Sequence, residues 1–150
     1  MKRWPIFAAA LAVVLLLPSR TKDVGDLLPM ELLYIYKEDN RIHAETDTGE
    51  AGVGDTLAQA LEDLKATAPG EVFLETADYL IVTKDTVPLL PQLTKVLRPA
   101  TEVCLGVNAD TQAAAFLAAH KPGVTLQDCR SGGQALPTLI KTEERYRLVS

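Results

Sequence analysis

The chain begins with two basic residues and an uninterrupted apolar run, and no other feature restricts its folding so strongly. Lys2 and Arg3 precede residues 4–17, which are apolar on every side of a helix. About fourteen residues span ~21 Å as a helix, which is less than the ~30 Å of hydrocarbon in a membrane. The pattern is typical of a secretory signal peptide. It favours export over a buried N-terminal helix, which would carry a polar side.

The residues after the apolar run leave its fate open. Residues 17–21 offer only weak versions of the small-x-small cleavage pattern, so cleavage and retention as a short membrane anchor are both compatible with them. We therefore divide the chain into a signal peptide or anchor at residues 1–18, a polar tether at 19–26 and one domain at 27–150. A domain of that length is large enough for a core of its own.

The charge of the exported part excludes two classes of partner. Removing residues 1–18 lowers the basic count from 15 to 13 against 20 acidic residues, so the net charge falls from −5 to −7. An acidic surface repels nucleic acid and anionic bilayer surfaces, and no polybasic patch interrupts it. If the signal stays uncleaved, residues 1–18 are the expected membrane contact.

Two cysteines, Cys104 and Cys129, lie in the exported part. An oxidising compartment permits a disulfide between them, and closing a loop of about 25 residues would add roughly 3 kcal/mol of stability in the chain-entropy model. The other interpretation is a small core residue in a strand at Cys104 and a loop thiol at Cys129. We favour two free thiols, and the sequence leaves both interpretations open.

Strand signals come first along the domain. Residues 32–36 are a dense strand-forming run, residues 37–40 carry turn residues, and residues 41–48 alternate apolar and polar positions. Two such runs around an Asp-Asn turn predict a β-hairpin. The glycine-rich residues 49–54 are interpreted as a flexible connection. Residues 79–83 are apolar without a break, which is typical of a central strand covered on both faces.

Helices are predicted between the later strands. Leu57, Leu61 and Leu64 form one stripe of an amphipathic helix that Asp55 or Thr56 can cap. A second helix is expected over residues 85–98.

A third helix is expected from Asp110 or Thr111 to His120, after a buried strand at residues 103–107. Residues 135–141 are interpreted as one or two further helical turns. The element order predicts an α/β (α+β) fold, in which about three helices pack on a mixed β-sheet and an export or anchor helix precedes them.

The residue types that perform chemistry are present but scattered. His43 and Glu45 share one face of a strand, as an acid–base pair would, although an exposed pair on a hairpin is the commoner arrangement. His120 ends a helix, where a cation interacts favourably with the helix dipole. Cys104 and Cys129 lack the close paired spacing of a structural zinc site.

Two further motifs fail their chemical tests. Ser131 does not stand in a G-x-S-x-G nucleophile elbow, and residues 49–54 lack the Gly-Lys-Ser/Thr ending of a phosphate loop. We therefore predict no catalytic, cofactor-binding or metal-ligating residue, and we expect the chain not to be an enzyme.

Several segments match a family pattern in order and spacing, and the first ones lie near the N-terminus. The apolar run ends at residues 15–19, and an acidic-apolar-x-acidic stretch follows at residues 23–26. A hairpin and the glycine-rich residues 49–54 come next. Residues 56–64 then read T-x-x-x-A-L-x-x-L.

Two later segments complete the pattern. Residues 72–82 contain aromatic residues and run into an L-I-V strand, and residues 103–122 form a strand, an A-x-x-x-L helix and a proline. Together these parts resemble the N-terminal domain of the Ger(x)C family, the C subunits of spore germinant receptors in endospore-forming bacteria. The resemblance covers about residues 15–122, and no single motif carries it alone.

The sequence departs from that family in two ways. Ser19 stands where family members carry a lipid-modified cysteine, so anchoring through that residue is not expected. The chain also spans only the first of the three family domains, so we expect a stand-alone relative of that domain. The resemblance implies a non-catalytic protein of spore germination or sporulation that assembles with integral-membrane receptor subunits. It would act at the outer face of the cytoplasmic membrane, at the spore membrane or as a secreted protein.

Two functional hypotheses follow. In the first, the exported domain binds a membrane-protein partner, with the hairpin edge at residues 41–48 as a candidate docking surface. In the second, the chain is a small secreted enzyme or small-ligand-binding protein, with a pocket where the central strands end, near residues 83–85 and 107–110. The same polar residues at strand ends are also good helix caps.

Overall fold

The computed structural model describes residues 27–150, and the predicted export segment and tether lie outside the described residues. Strands and helices are numbered along the chain. The strands are β1 Leu27–Leu28, β2 Leu32–Glu38, β3 Arg41–Thr46, β4 Ala51–Gly54, β5 Glu71–Val72, β6 Tyr79–Val82, β7 Glu102–Val107, β8 Thr138–Thr142 and β9 Arg145–Val149. The α-helices are α1 Leu57–Thr67, α2 Leu90–Leu93, α3 Ala114–Ala119 and α4 Leu126–Ser131.

Seven strands form one mixed sheet in the order β4-β3-β2-β6-β7-β8-β9. The four consecutive strands β2, β6, β7 and β8 run parallel. The antiparallel strands β3 and β4 extend the sheet beyond β2, and the antiparallel strand β9 extends it beyond β8. Strands β1 and β5 form a separate parallel pair. The predicted α/β class with a mixed sheet is therefore confirmed, with four α-helices within residues 27–150 in place of about three.

The hairpin of β2 and β3 forms where it was predicted. Asp39 and Asn40 connect the strands with φ angles of 48° and 62°. Asn and Asp tolerate this left-handed region better than other residues with a side chain, and the resulting tight turn fixes the register of the hairpin. As a result Tyr36 lies opposite His43, and Tyr34 lies opposite Glu45.

Each face of the sheet carries its own core. On the first face, residues from β2, β3, β6 and β7 pack against α1, α2 and α4. On the second face, α3 and the turn before it cover the sheet. The two cores include Leu33, Ile35, Leu64, Leu80, Val82, Leu93, Val103 and Leu126 on the first face, and Leu32, Tyr34, Tyr79, Ile81, Cys104, Leu117 and Leu139 on the second.

Helix α1 begins at the predicted cap. The Thr56 hydroxyl accepts a hydrogen bond from the Gln59 backbone N–H at 3.2 Å. Leu57, Leu61 and Leu64 are buried, as the stripe predicts. The predicted amphipathic helix is therefore confirmed, with Thr56 as its cap.

The glycine-rich segment is a strand and not a flexible connection. Gly52 and Gly54 lie in β4, directly beneath α1. A Cβ atom at Gly52 would lie 2.7 Å from the Leu64 Cα, and one at Gly54 would lie 2.6 Å from the Ala60 backbone nitrogen. Because these distances are shorter than any real Cβ contact, the glycines allow helix and strand to touch along their backbones.

Three predicted helical segments are shorter or different. The second helix consists of a 3₁₀ turn at Val87–Leu89 followed by α2. The third is a 3₁₀ turn at Thr111–Ala113 followed by α3, with Asp110 as its cap. The tail interpreted as helical at residues 135–141 contains strand β8, and α4 was not predicted.

We expect Gly52→Ala to lower the free energy of unfolding by about 2 to 3 kcal/mol, because the added methyl group must push α1 away from β4. Urea unfolding followed by circular dichroism measures the change. The matched control is Ala51→Val, at an exposed position of the same strand, for which we expect a change within about 0.5 kcal/mol. Equal stability of both variants would contradict the close backbone contact.

Candidate functional site

The first predicted pocket segment, residues 83–85, belongs to a turn that supports the end of β2. The Thr86 hydroxyl donates to the Ile35 carbonyl oxygen at 3.0 Å and accepts from the Thr83 backbone N–H at 2.9 Å. Thr86 is fully buried, so these bonds are shielded from water. Thr83 and Thr86 therefore act in turn formation. This is close to the capping use that the sequence also allowed.

The second predicted segment, residues 107–110, contributes Asp110 to a cluster with two residues of the C-terminal hairpin. We call Asp110, Lys141 and Tyr146 the Asp110 cluster. Lys141 and Tyr146 lie opposite each other on β8 and β9, and both donate hydrogen bonds to the Asp110 carboxylate. Asp110 also accepts from the Gln112 backbone N–H at 3.1 Å. One carboxylate thus joins the end of β7 to the hairpin.

The electrostatics of the Asp110 cluster do not favour acid–base chemistry. Burial would raise the pKa of Asp110, but the hydrogen bonds from Lys141 and Tyr146 outweigh burial and hold this pKa below its ordinary value. Burial and the bond to Asp110 raise the pKa of Tyr146. Both shifts move the groups further from neutral pH, whereas a general acid or base works best with a pKa near it.

His43 and Glu45 share one face as predicted, and Tyr36 contacts both of them. The Tyr36 hydroxyl donates to Glu45 Oε1 at 2.6 Å, and its ring stacks on His43 with a centroid distance of 4.9 Å. Burial and this bond raise the pKa of Tyr36. The Glu45 carboxylate is thus engaged by Tyr36, and the structure does not pair it with His43.

His120 and the two cysteines lie apart from that pair. The His120 ring stacks on Phe116 at a centroid distance of 4.5 Å, at the end of α3. Cys104 and Cys129 are free thiols that pack against opposite faces of the sheet. Among residues 27–150, no three His, Cys, Asp or Glu side chains come together as metal ligands.

Near the edge formed by β8 and β9, part of the first face of the sheet is not covered by a helix. Leu105 packs at the edge of the first core, and strand alternation places Val107, Ile140, Arg147 and Val149 on the same face. Val107 and Val149 are 45% and 39% exposed, and they are the large hydrophobic residues that remain exposed within residues 29–150. We call this surface the open face and define it by Leu105, Val107, Thr138, Ile140, Arg147 and Val149.

The two edge strands of the sheet differ in whether their outer backbone groups have partners. At β4, the Asp63 carboxylate accepts from the Val53 backbone N–H at 2.9 Å, and the Thr67 hydroxyl donates to the Ala51 carbonyl oxygen at 2.9 Å. Helix α1 thus satisfies the outer backbone groups of this edge. At the other edge, no strand of the described chain pairs with the outer side of β9.

The hairpin edge predicted as a docking surface at residues 41–48 is therefore wrong. Strand β3 pairs with β2 on one side and with β4 on the other, so it has no free edge. The prediction failed because residues 49–54 were interpreted as a connection, which left β3 without its second neighbour. The open edge lies instead at β9.

Lys141 and Tyr146 were missed because the tail was interpreted as helical. The available signal was alternation, since Leu139 and Lys141 share one face of β8, and Tyr146 and Leu148 share one face of β9. Glu143 begins the turn between them with a φ of 54°, a conformation that usually selects glycine or asparagine. Because neither residue stands at position 143, the hairpin had no clear signal in the sequence.

Comparisons with models of protein families, with curated proteins and with solved structures found no match. Among residues 27–150, no helix has both the length and the apolar character to cross a membrane.

We expect Asp110→Asn to lower the free energy of unfolding at pH 7 by about 1 kcal/mol, after allowance for partial exposure of the pair. The amide keeps the cap to Gln112 and removes the charge. Because folding lowers the pKa of Asp110, its stabilisation is present above the unfolded pKa near 4 and is lost as pH falls through the folded value.

The free energies of unfolding of the two proteins should therefore converge as the pH falls from about 4 towards 2. Urea titrations across this range measure the difference. Asp55→Asn is the matched control, because Asp55 is 79% exposed in its ion pair with Arg41. A difference that does not change with pH would contradict the charged hydrogen bonds of the Asp110 cluster.

Proposed function

We propose that this chain is a non-catalytic, exported domain that binds the extracytoplasmic part of a membrane-protein partner, in spore germination or sporulation. The open face is the observation that carries the proposal. It combines exposed aliphatic side chains with a free sheet edge in one place. Monomeric proteins usually cover such a surface, and contiguous apolar patches commonly mark interaction sites.

The composition of the open face fits a protein partner. Leu105, Val107, Ile140 and Val149 supply apolar area, and Arg147 adds a planar cation on the edge strand β9. Arginine and large apolar residues are enriched in the buried parts of protein interfaces, whereas lysine and acidic residues are depleted there. The partner surface that fits it is apolar with a carboxylate near Arg147.

The position of the open face also fits β-strand addition. Arg145, Arg147 and Val149 alternate along β9 on this face, at the edge of the sheet. A partner strand added beside β9 would gain backbone hydrogen bonds and would extend the apolar surface of the open face. The occupant of the open face is therefore an extended segment of the partner that carries acidic and apolar side chains.

The absence of catalysis is supported by how the polar groups are used. The Asp110 cluster pairs its charges internally, and Tyr36 engages the Glu45 carboxylate. Within the described chain, every buried side-chain nitrogen or oxygen has a hydrogen-bond partner. Catalytic sites, in contrast, keep reactive groups aimed at a space for substrate.

The alternative, a ligand or substrate at the ends of the central strands, gains less support. Thr83 and Thr86 hold the turn after β6, and Asp110 caps the turn before α3. The hydrogen bonds of Thr83 and Asp110, the bonded polar residues of these two segments, therefore serve to hold the fold together. No geometric observation at residues 83–85 or 107–110 points to a bound molecule.

We expect a photoactivatable amino acid at position 107 to cross-link this protein to an integral membrane protein in intact cells that make it. Adding Arg147→Glu should reduce the cross-linked product about tenfold, because reversing a charge at the interface weakens binding by about 1.4 kcal/mol or more. Mass spectrometry of the purified product identifies the partner.

The control places the same probe at Lys65, an exposed position on α1 that is far along the sheet from the open face. Equal cross-linking from Lys65 would contradict the proposed surface. Cross-links between two copies of this chain would identify the open face as a self-association surface and would contradict a membrane-protein partner. Lys65→Glu, with the same charge change as Arg147→Glu, should leave the product unchanged.

We expect residues 1–25 to export a fused phosphatase that is active only outside the cytoplasm. The apolar run behind Lys2 and Arg3 supplies the signal. Leu15→Arg, which places a charge within the run, should abolish phosphatase activity at equal expression. The same residues can also be fused to a reporter that is active only in the cytoplasm. Activity of that fusion, together with an inactive phosphatase fusion, would contradict the extracytoplasmic location.

A further inference from the structure

A second surface feature on the first face is a groove between α2 and α4. It has a volume of about 660 Å³, within the range of about 300 to 1,000 Å³ that is usual for small-molecule sites. Its lining residues come from the turn before α2, from α2 itself, from the turn after α2 and from α4. They are Val87, Pro88, Leu90, Pro91, Thr94, Lys95, Cys129 and Arg130.

The lining divides into an apolar part and a basic part. Val87, Pro88, Leu90 and Pro91 present aliphatic surface, and Lys95 and Arg130 contribute two cations. No carboxylate is among these lining residues of the described chain. Two positive charges beside an apolar wall are chemically complementary to a molecule that joins an apolar chain to an anionic group.

The two cations are free to meet such a group. Among the ion pairs of residues 27–150, none involves Lys95 or Arg130, and both residues are exposed. The carboxylate nearest to Arg130 in sequence, Asp128, faces the start of α4. There it accepts hydrogen bonds from the Thr125 backbone N–H and from the Thr125 hydroxyl, both at 2.8 Å.

We propose that this groove binds a single-chain amphiphile with an anionic head group, such as a fatty carboxylate or the acyl chain and phosphate of a lipid. The apolar chain lies along Val87 and Pro91, and the head group contacts Lys95 and Arg130. This site goes beyond the binding of a membrane-protein partner and does not depend on it. The local pair of cations overcomes the acidic net charge, because their potential acts over the few ångströms of a direct contact.

The cysteines make the groove directly measurable. Cys129 lines it and is partly exposed, whereas Cys104 is completely buried on the other face of the sheet. Burial raises the pKa of Cys104 to about 12. A thiol reagent added to the folded protein should therefore modify Cys129 alone, and Cys104 should react only when the fold is lost.

The test measures the rate of maleimide labelling of Cys129 with increasing dodecanoate, below its micelle concentration. At ten times the dissociation constant about one site in eleven is free, so we expect labelling to slow about tenfold. The same titration with 1-dodecanol should give weak protection, because the alcohol lacks the anionic group. A parallel titration with a single-chain lysophosphatidate distinguishes a lipid phosphate from a free carboxylate as the preferred head group.

Lys95→Glu together with Arg130→Glu should shift the dodecanoate dependence at least tenfold to higher concentration. Both side chains are exposed, so the double variant should fold, and an unreactive Cys104 verifies this in each sample. Lys65→Glu together with Lys121→Glu, at exposed positions outside the groove, is the control with the same charge change.

Three outcomes would overturn the proposal. They are undiminished labelling with both dodecanoate and the lysophosphatidate, equal protection by dodecanol, and reaction of Cys104 on addition of the amphiphile, which would mean unfolding. As a second readout, saturating amphiphile should raise the unfolding temperature of the wild-type protein and not that of the double variant. A temperature that stays constant in both would also overturn it.

Discussion

Four parallel strands side by side require cover on both faces, and this requirement shapes the rest of the molecule. Strand β6 shows it most clearly, because each of its four residues is buried. Parallel strands need crossover connections, and those connections supply the helices that bury the sheet. The helices of the last two crossovers are short, because α2 has four residues and α3 and α4 have six each. Helices of that size cover the centre of a seven-stranded sheet and leave parts of its end uncovered.

Both candidate surfaces arise from this limited cover. The groove lies where α2 and α4 do not meet completely, and the open face lies where the sheet extends past α4 to β8 and β9. The second face is closed at the same end, because Tyr146 and Leu148 pack with the core beneath α3 and the Asp110 cluster ties the hairpin down. Near the edge formed by β8 and β9, the uncovered surface therefore lies on the first face of the sheet.

Sequence reasoning succeeded where a local interaction decides the structure. The turn at Asp39 and Asn40 selects its own backbone conformation, and the hydroxyl of Thr56 caps α1 three residues away. Strand β6 was recognisable because burial on both faces leaves no polar position. Helix α1, the longest of the four, has the clearest stripe. In each of these cases the residues that carry the signal lie within a few positions of one another along the chain.

The sequence-based predictions failed where a segment takes its structure from a partner that is distant along the chain. Considered locally, Gly52 and Gly54 indicate a flexible segment. They lie in a strand because the backbone of α1 packs directly against them. Lys141 and Tyr146 are 31 and 36 residues from Asp110, so no spacing rule could join them. The absence of a glycine or asparagine at Glu143 hid the hairpin that brings these two residues together. Because the open face exists only when β8 and β9 are paired in this register, a helical tail would have removed the feature on which the proposed docking depends.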